Sequence, residues 1–262
     1  MSDDRKHVLI AVPTVNNQVS DALAALFGAA HERNRFDPDW KFSTTSMNGL
    51  KGYARARNGI AQFFLAGPCD YLWMFDQDMV PPDNIFDLLK TDTDILAPLL
   101  PTLKLEIDNS KGSLGFALPI CACRYKDLDD LSTREGVDIT EGGVLDVDGV
   151  GFGCVLIKRK VLEDRRIWFD PAYARLDGAE KTLEPNDPPP IFRFHTKPNG
   201  DCECGEDFGF CWQARKLGYS VKLDTRIFLG HLKWVDLGAL FRIGGYMQSQ
   251  RDTLREQGKI GI

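Results

Sequence analysis

The stretch Asp70–Pro81 constrains the fold of this chain more than any other. It joins an apolar run, Tyr71–Phe75, to two carboxylates, Asp76 and Asp78, and then to a pair of prolines. A short apolar run between turn-forming residues predicts a central strand that is buried on both faces. Because open α/β sheets bind ligands beyond the carboxyl ends of their strands, the two aspartates are predicted to lie where a ligand binds.

The spacing of these aspartates indicates what they could bind. Residues at i and i+2 of a strand point to the same side, so Asp76 and Asp78 could face one hard cation with their oxygens. Such a cation would hold a diphosphate. The alternative is a solvated loop after the strand, in which the aspartates serve only as turn formers.

Strands and helices alternate along much of the chain, which predicts an α/β fold with a mixed, mostly parallel central sheet. Helices are predicted from Asp21, with Ser20 as N-cap, and from Glu206. A looser stretch, 101–143, contains one predicted strand, Phe116–Cys123, and a long loop spans 169–199. The other predicted elements are strands at His7–Val12, Trp40–Met47, Tyr71–Phe75, Asp94–Leu100 and Tyr219–Asp224, and helices at Tyr53–Leu65, Pro82–Lys90 and Arg159–Asp164.

Composition sets the broad class. A chain of 262 residues with 43% hydrophobic and 27% charged residues is expected to form one large globular domain. No apolar run reaches the ~18–20 residues of a membrane span, and the charged N-terminus does not predict a secretory signal. Seven cysteines, an odd number, favour reduced thiols in a cytoplasmic protein. A net charge of −6 gives no support to broad binding of a nucleic-acid backbone.

Five short motifs carry a resemblance to a known family. In chain order they are Arg55–Asn58, Asp76–Asp78, Val147–Gly153, Gly205–Asp207 and Gly230–His231. Together they resemble the family 2 glycosyltransferases of the GT-A fold, over roughly residues 7–235. The resemblance implies one Rossmann-like GT-A domain over 1–262, with a nucleotide-sugar-binding half (1–100), an acceptor-binding and catalytic half (101–235) and a helical tail (236–262). Segments 101–143 and 169–199 match no element of that family that we can name.

The resemblance also implies an activity: metal-dependent transfer of a sugar from a nucleotide-diphosphate sugar to an acceptor hydroxyl, with inversion. Asp207 would be the general base that takes the hydroxyl proton. Glu206 would hold acceptor hydroxyls or orient the loop. For Asp207 the alternative is an ordinary acid in the first turn of a helix, where acids are favoured in any protein.

The implied metal site consists of Asp78, which binds the metal, Asp76, which contacts the ribose or the metal's waters, and His231. An imidazole beside carboxylates suits Mn²⁺ at least as well as Mg²⁺. The alternative for His231 is a half-buried histidine that bonds a backbone carbonyl. The remaining donor contacts implied by the resemblance are Pro13 and Thr14 at the base and ribose, Arg57 at the base or diphosphate, Gln77 between the two aspartates, and Gly151, Phe152 and Gly153 beside the sugar. The alternatives are an ordinary strand-to-helix loop for Pro13 and Thr14, and a tight bend for the glycines. Trp234, near His231, is either a sugar contact or a core residue.

The cysteine pairs Cys121-x-Cys123 and Cys202-x-Cys204 raise a separate possibility. Four thiolates could form a structural Zn²⁺ site that ties the middle of the chain to the segment before Glu206. Free thiols are the alternative.

Three other functions stay open on the sequence. One is a retaining transferase on the same fold. Another is a sugar nucleotidyltransferase, although no glycine-rich basic loop follows the first strand. The third is a non-catalytic nucleotide-sugar-binding module, against which Asp207 beside Asp76 and Asp78 argues. The acceptor of a transferase could be a glycan, a protein, a lipid-linked saccharide or a modified nucleobase.

Overall fold

The computed structural model describes residues 4–14, 19–48, 52–108, 113–167, 190–196, 202–232, 249 and 252–253. Four α-helices form in these ranges: α1 (Asp21–Arg33), α2 (Tyr53–Ala66), α3 (Arg159–Glu163) and α4 (Glu206–Lys216). Two 3-10 helices cover Ile85–Lys90 and Leu131–Thr133. The strands are β1 (Lys6–Thr14), β2 (Trp40–Asn48), β3 (Tyr71–Phe75), β4 (Met79–Val80), β5 (Ile95–Leu99), β6 (Lys104–Asp108), β7 (Ser113–Ala117), β8 (Ala122–Tyr125), β9 (Arg134–Gly136), β10 (Val144–Asp146), β11 (Gly149–Val150), β12 (Cys154–Lys158), β13 (His195–Thr196), β14 (Cys202–Cys204), β15 (Val221–Phe228) and β16 (Gly230–His231).

A seven-stranded sheet forms the centre, in the order β10-β15-β5-β12-β3-β1-β2. The pairs β1/β2, β1/β3 and β5/β15 are parallel. Strand β12 runs antiparallel to both β3 and β5, and β10 is antiparallel to β15. Five strands therefore point one way and two the other, which confirms the predicted α/β fold with a mixed, mostly parallel sheet.

Strand β3 is buried on both faces, as its apolar sequence predicts. Leu72 and Met74 belong to one hydrophobic cluster, together with residues of α2, α3 and α4. Trp73 and Phe75 belong to the other, which α1 and the 3-10 helix at Ile85–Lys90 cover. Alternate side chains of one strand thus enter two core layers, and each fully buried large side chain contributes about 1.5–3 kcal/mol.

Local signals in the sequence place the helices. The Ser20 hydroxyl accepts a hydrogen bond from the Leu23 N–H (3.3 Å), so the predicted N-cap of α1 is confirmed. Helix α2 follows Gly52, whose φ of 92° lies in the left-handed region that favours glycine. Most other residue types would adopt this conformation at position 52 only with strain. The turn fixes where the helix begins, at Tyr53.

Two predicted elements differ in the structure. The single strand expected at Phe116–Cys123 is wrong, because β7 ends at Ala117 and β8 begins at Ala122. Pro119 lies between them and has no N–H to donate to a ladder, which explains the break. The helix expected at Pro82–Lys90 is a shorter 3-10 helix, Ile85–Lys90.

Short strand pairs around the main sheet position the later motifs. β16 pairs with β4, so that His231 lies opposite Met79. β11, β8 and β9 form a separate three-stranded sheet, and β13 pairs with β14 directly before α4. None of the described helices is both long and apolar enough to cross a bilayer. The predicted tail, 236–262, lies outside the described residues apart from 249, 252 and 253.

Candidate functional site

A pocket of about 500 Å³ opens at the carboxyl ends of β1 and β3, where the sequence predicts a ligand site. Nine of its lining residues are among those predicted from the sequence. Three others, Gly52, Tyr53 and Ala56, come from the start of α2. The nine are Pro13, Thr14, Arg57, Asp76, Gln77, Asp78, Glu206, Asp207 and His231.

Arg57 is the centre of the polar network in this pocket. Its side chain projects from the start of the second turn of α2 and is almost fully buried, with 4% of the residue exposed. One terminal nitrogen forms an ion pair with Glu206, and the other donates to both oxygens of Asp76 (3.0 and 3.2 Å) and to the Phe152 carbonyl (3.3 Å). The guanidinium therefore joins α2, the end of β3, the loop before β12 and the start of α4.

The acids around Arg57 resist ionisation because they are buried. Burial raises the pKa of Asp76, Glu206 and Asp207 above the usual carboxyl range, and the charge of Arg57 opposes this rise for each of them. The described lining carries four carboxyl groups against one guanidinium, so acidic groups are in excess in the pocket. When these groups are ionised, they repel an anionic ligand, and a cation bound beside the ligand would offset that repulsion.

Asp207 lies in the first turn of α4, after the N-cap Gly205. Its Oδ1 accepts the N–H of Phe208 (2.7 Å), and a backbone hydrogen bond from Phe152 also lowers its pKa, against the larger effect of burial. The side chain thus has a fixed orientation at the pocket and a pKa above that of an exposed aspartate. Both properties suit a general base near neutral pH.

Asp78 and His231 contact each other directly. The Nε2 of His231 lies 3.2 Å from Oδ2 of Asp78, and its Nδ1 lies 3.3 Å from the Pro101 carbonyl. The pairing of β16 with β4 and the hydrogen bond from the Leu232 N–H to the Asp78 carbonyl (2.9 Å) hold the two residues together. In metal sites, a histidine that binds the metal through one ring nitrogen usually donates the N–H of the other to a carbonyl, which fixes the orientation of the ring. The Pro101 carbonyl could do this for His231.

The donor set fits a divalent cation in part. Within the described ranges, no three His, Cys, Asp or Glu side chains are arranged to hold a metal ion. Asp78 and His231 supply two neighbouring ligands, whereas both oxygens of Asp76 are engaged by Arg57. Two protein ligands with further oxygens from water and substrate suit Mg²⁺ or Mn²⁺ at a diphosphate site.

The glycines of the loop before β12 have packing roles in the structure. A Cβ on Gly153 would lie 2.6 Å from Leu100 Cδ2, and a Cβ on Gly151 would lie 2.7 Å from Cys121 Cβ. The Gly153 carbonyl also accepts the Asp76 N–H (2.9 Å). Close packing alone is therefore enough to explain why both positions are glycine. That the two glycines lie beside a donor sugar stays a prediction.

Asn58, next to Arg57, has a structural role. Its Oδ1 accepts the N–H groups of Ile191 (2.6 Å) and Phe192 (2.9 Å), and its Nδ2 donates to the Phe192 carbonyl (2.7 Å) and the Ala54 carbonyl (2.8 Å). The buried amide therefore has all its hydrogen-bonding capacity used. It attaches the segment 190–196 to α2.

Two predictions fall outside the described residues. Trp234 lies in one of the gaps, and so does the side chain of Cys202. Of the other cysteines in the predicted zinc site, Cys123 and Cys204 are buried and Cys121 is partly buried. Burial raises the pKa of Cys123 to about 11 and that of Cys204 to about 12, so both are thiols at neutral pH. The zinc site stays a prediction.

Two of the three lining residues that the sequence analysis missed, Tyr53 and Ala56, share a helix face with Arg57, and the third, Gly52, is the N-cap of the same helix. Tyr53, Ala56 and Arg57 stand at i, i+3 and i+4, so the helical spacing that places Arg57 at the pocket also places Tyr53 and Ala56 there. Because Arg57 was already a candidate, this spacing is the signal that could have identified them.

The fold and the pocket define an α/β protein of Rossmann-like architecture with an acidic pocket at the carboxyl ends of its strands. No protein-family model matches the chain. No curated protein matches it either.

Solved structures show only partial similarity. The protein A197 from STIV has a TM-score of 0.42 at 15% identity, covering 88% of this chain and 86% of that one. The inositol-1-phosphate CTP transferase from T. maritima has a TM-score of 0.39 at 7% identity, covering 94% and 97%. A UDP-glucose pyrophosphorylase bound to UDP-glucose has a TM-score of 0.35 at 8% identity, covering 93% and 81%. Similarity at this level does not identify the activity of this chain.

Proposed function

We propose that the pocket binds a nucleotide-diphosphate sugar with a divalent cation, and that the protein is a metal-dependent glycosyltransferase. The observation that carries the proposal is that a fixed, partly buried acid, Asp207, lines the same pocket as the Asp78–His231 pair. A transferase of this type needs both features in one cavity, because it must neutralise a leaving diphosphate and deprotonate an acceptor.

The cation would be held by Asp78 and His231, with Asp76 nearby. When bound, it would stabilise the negative charge that develops on the leaving diphosphate. Mn²⁺ and Mg²⁺ both suit oxygen ligands, and the imidazole of His231 favours Mn²⁺. The excess of carboxylates in the pocket makes the cation a requirement for donor binding as well as for the reaction.

Asp207 would remove the proton from the acceptor hydroxyl as that oxygen attacks the anomeric carbon. This single displacement inverts the configuration of the sugar. Arg57 supports the ionised form of Asp207, because its charge lowers the pKa of that carboxyl against the effect of burial. The same arginine holds Glu206, so we infer that Glu206 positions the start of α4.

Sugar nucleotidyl transfer is the second candidate. Two of the solved structures reported above are described as a CTP transferase and a pyrophosphorylase. Such a reaction requires the pocket to accept a triphosphate, yet the segment that follows β1 contains no glycine or basic residue up to Gln18. The two candidates predict different products, so one assay separates them.

That assay incubates the protein with Mn²⁺ and a panel of nucleotide-diphosphate sugars, and follows release of free nucleoside diphosphate. Glycosyl transfer predicts slow hydrolysis of one donor even without an acceptor. Asp78→Ala and Asp207→Asn are expected to abolish it. Asp21→Asn is the matched control, because Asp21 is also an acid in the first turn of a helix but lies outside the pocket.

A parallel reaction offers each nucleoside triphosphate with sugar 1-phosphates and measures pyrophosphate. Pyrophosphate release without hydrolysis of any donor would replace glycosyl transfer by nucleotidyl transfer. Donor binding with neither reaction would favour the non-catalytic module. A donor product that keeps its anomeric configuration would identify a retaining enzyme and remove the base role of Asp207.

A further inference from the structure

An exposed aromatic ring lies at the mouth of the pocket. Tyr53 is 65% exposed, although it is a large ring in the first turn of a helix whose inner face packs on the core. Among the described residues, the other exposed aromatic side chains, Phe36, Phe63 and Phe228, do not line this pocket. An exposed ring of this size at a pocket offers apolar area that a ligand can cover.

The residues that line the pocket divide by charge according to the element that carries them. The end of β1 and the very start of α2 supply uncharged residues: Pro13, Thr14, Gly52, Tyr53 and Ala56. The segment after β3, the start of α4 and β16 supply the four acids, Gln77 and His231, and Arg57 of α2 lies between the two groups, paired with Asp76 and Glu206. A ligand with an uncharged flat part and an anionic part would match this division, with its anionic part on the cation side.

We propose that Tyr53 is the stacking surface for the nucleobase of the nucleotide, an inference that rests on the proposed nucleotide-binding function. The turn at Gly52 fixes the backbone position from which the ring projects. The guanidinium of Arg57 lies 5.7 Å from the ring centroid, and this cation–π contact restrains the ring further. Aromatic rings bind bases through their π-faces, largely independently of base identity.

The proposal separates the roles of two neighbouring residues. Arg57 is engaged with Asp76 and Glu206 and serves the interior of the site. Tyr53 has most of its surface exposed to solvent, so a ligand that covers the ring would gain the free energy of burying it. The donor-binding role that the sequence resemblance gives to Arg57 would therefore belong, for the base, to Tyr53.

Substitution of Tyr53 is expected to preserve the fold. The residue buries little surface, and alanine is a better helix former than tyrosine. Phe63 provides a matched control on the same helix, since it is 53% exposed but does not line the pocket. Both Tyr53→Ala and Phe63→Ala should unfold at temperatures close to that of the unmodified protein.

The test measures binding of UDP, GDP, ADP, CDP and dTDP by calorimetry in the presence of Mn²⁺, with inorganic pyrophosphate as the ligand that lacks a base. For the nucleotide that binds best, Tyr53→Ala is expected to weaken binding by roughly 10- to 100-fold. Tyr53→Phe and Phe63→Ala should stay within about threefold, because the π-face or the pocket is unchanged. Pyrophosphate affinity should be the same in all variants.

Three results would overturn the inference. Tyr53→Ala could leave nucleotide binding unchanged, or it could weaken pyrophosphate as much as the nucleotide, or Tyr53→Phe could lose as much as Tyr53→Ala. The outcome is separable from that of the proposed function. Tyr53-dependent nucleotide binding without turnover of any donor would refute glycosyl transfer alone, whereas turnover that is indifferent to Tyr53→Ala would refute the stacking role alone. If no nucleotide binds, both fail.

Discussion

Asp207 is partly buried and has a fixed set of hydrogen bonds, and its raised pKa has consequences that can be measured. Burial raises that pKa, so a reaction that needs the ionised carboxylate should lose activity at a higher pH than an exposed aspartate would dictate. Glu206→Gln removes a neighbouring negative charge and leaves more of the Arg57 charge to Asp207. We therefore expect the acidic limb of the pH–rate profile to move to lower pH in that variant.

The measurement is donor hydrolysis as a function of pH for the unmodified protein and for Glu206→Gln. Asp146→Asn, a substitution at an exposed carboxylate outside the pocket, should leave the limb in place. A limb that moves to higher pH in Glu206→Gln, or that does not move, would contradict the electrostatic role given to Asp207.

The same pKa also affects stability. A carboxyl whose pKa is higher in the folded state than in the unfolded state binds protons more tightly when folded, so stability falls as pH rises through that interval. Asp207→Asn removes this cost and should raise the free energy of unfolding at pH 7. The gain should shrink as pH falls below the folded-state pKa of Asp207.

Urea denaturation at several pH values from 7 down to the acid limit of folding measures this gain. Asp21→Asn serves again as the control, since that acid is exposed at the start of α1. A gain that grows on acidification would mean that the ionised Asp207 stabilises the fold, contrary to the burial argument.

At the residue level, the sequence predicted much of the pocket. Local patterns in the sequence define where strands and helices begin and end, and four of the candidates lie at such ends: Asp76, Asp78, Asp207 and His231. The partnership of Arg57 with Glu206 could not be predicted, because the two residues are separated by 149 positions and nothing local links them. Their contact depends on how α2 and α4 pack on the same face of the sheet.

At the level of elements, Asn58 attaches the segment 190–196 to α2. Asn58→Ala would leave the N–H groups of Ile191 and Phe192 and the Phe192 carbonyl without their partner in a buried place. Unsatisfied buried groups of this kind cost about 1–3 kcal/mol each, so we expect a loss of roughly 3 kcal/mol or more.

Thermal and urea denaturation of Asn58→Ala would measure this loss. Asn84→Ala is the matched control, because the exposed Asn84 amide makes only a long contact of 3.5 Å with the Arg226 carbonyl. Equal effects of the two substitutions would show that the segment is not held by Asn58.

The elements themselves were predictable where one signal dominated. The apolar run Tyr71–Phe75 predicts β3, and the N-cap Ser20 predicts the start of α1. The face of α4 was predicted in part: Cys211 is buried as expected, whereas Phe208 and Trp212 are only partly buried. The other buried apolar residues of the helix, which were not predicted, are Gly209, Phe210 and Ala214. That helix contacts strand β11 as well as β15 of the main sheet, so its apolar surface is shared between two sides and a single-stripe pattern is misleading.

For the whole molecule, the sheet order explains why distant motifs meet. β1 and β3 are parallel neighbours, so Thr14, the last residue of β1, and Asp76, the first residue after β3, lie at the same edge of the sheet. β16 comes from the far end of the described chain and reaches the same place by pairing with β4. The alternation of strands and helices predicts a sheet, but the antiparallel insertion of β12 between β3 and β5 depends on long-range pairing that no local pattern shows.

The convergence of these segments predicts that metal and nucleotide stabilise the molecule together. A ligand pair at 100 times its dissociation constant should add about 2.7 kcal/mol to the free energy of unfolding. We expect Mn²⁺ with the best-binding nucleoside diphosphate to raise the melting temperature, and either alone to raise it less, because the carboxylates repel an uncompensated diphosphate. Asp78→Ala and His231→Ala should remove the increase that depends on Mn²⁺, while His31→Ala, an exposed histidine on α1, should keep it. If His231→Ala retains the full increase, His231 is not a metal ligand, and the contact with Asp78 serves only to connect β16 to β4.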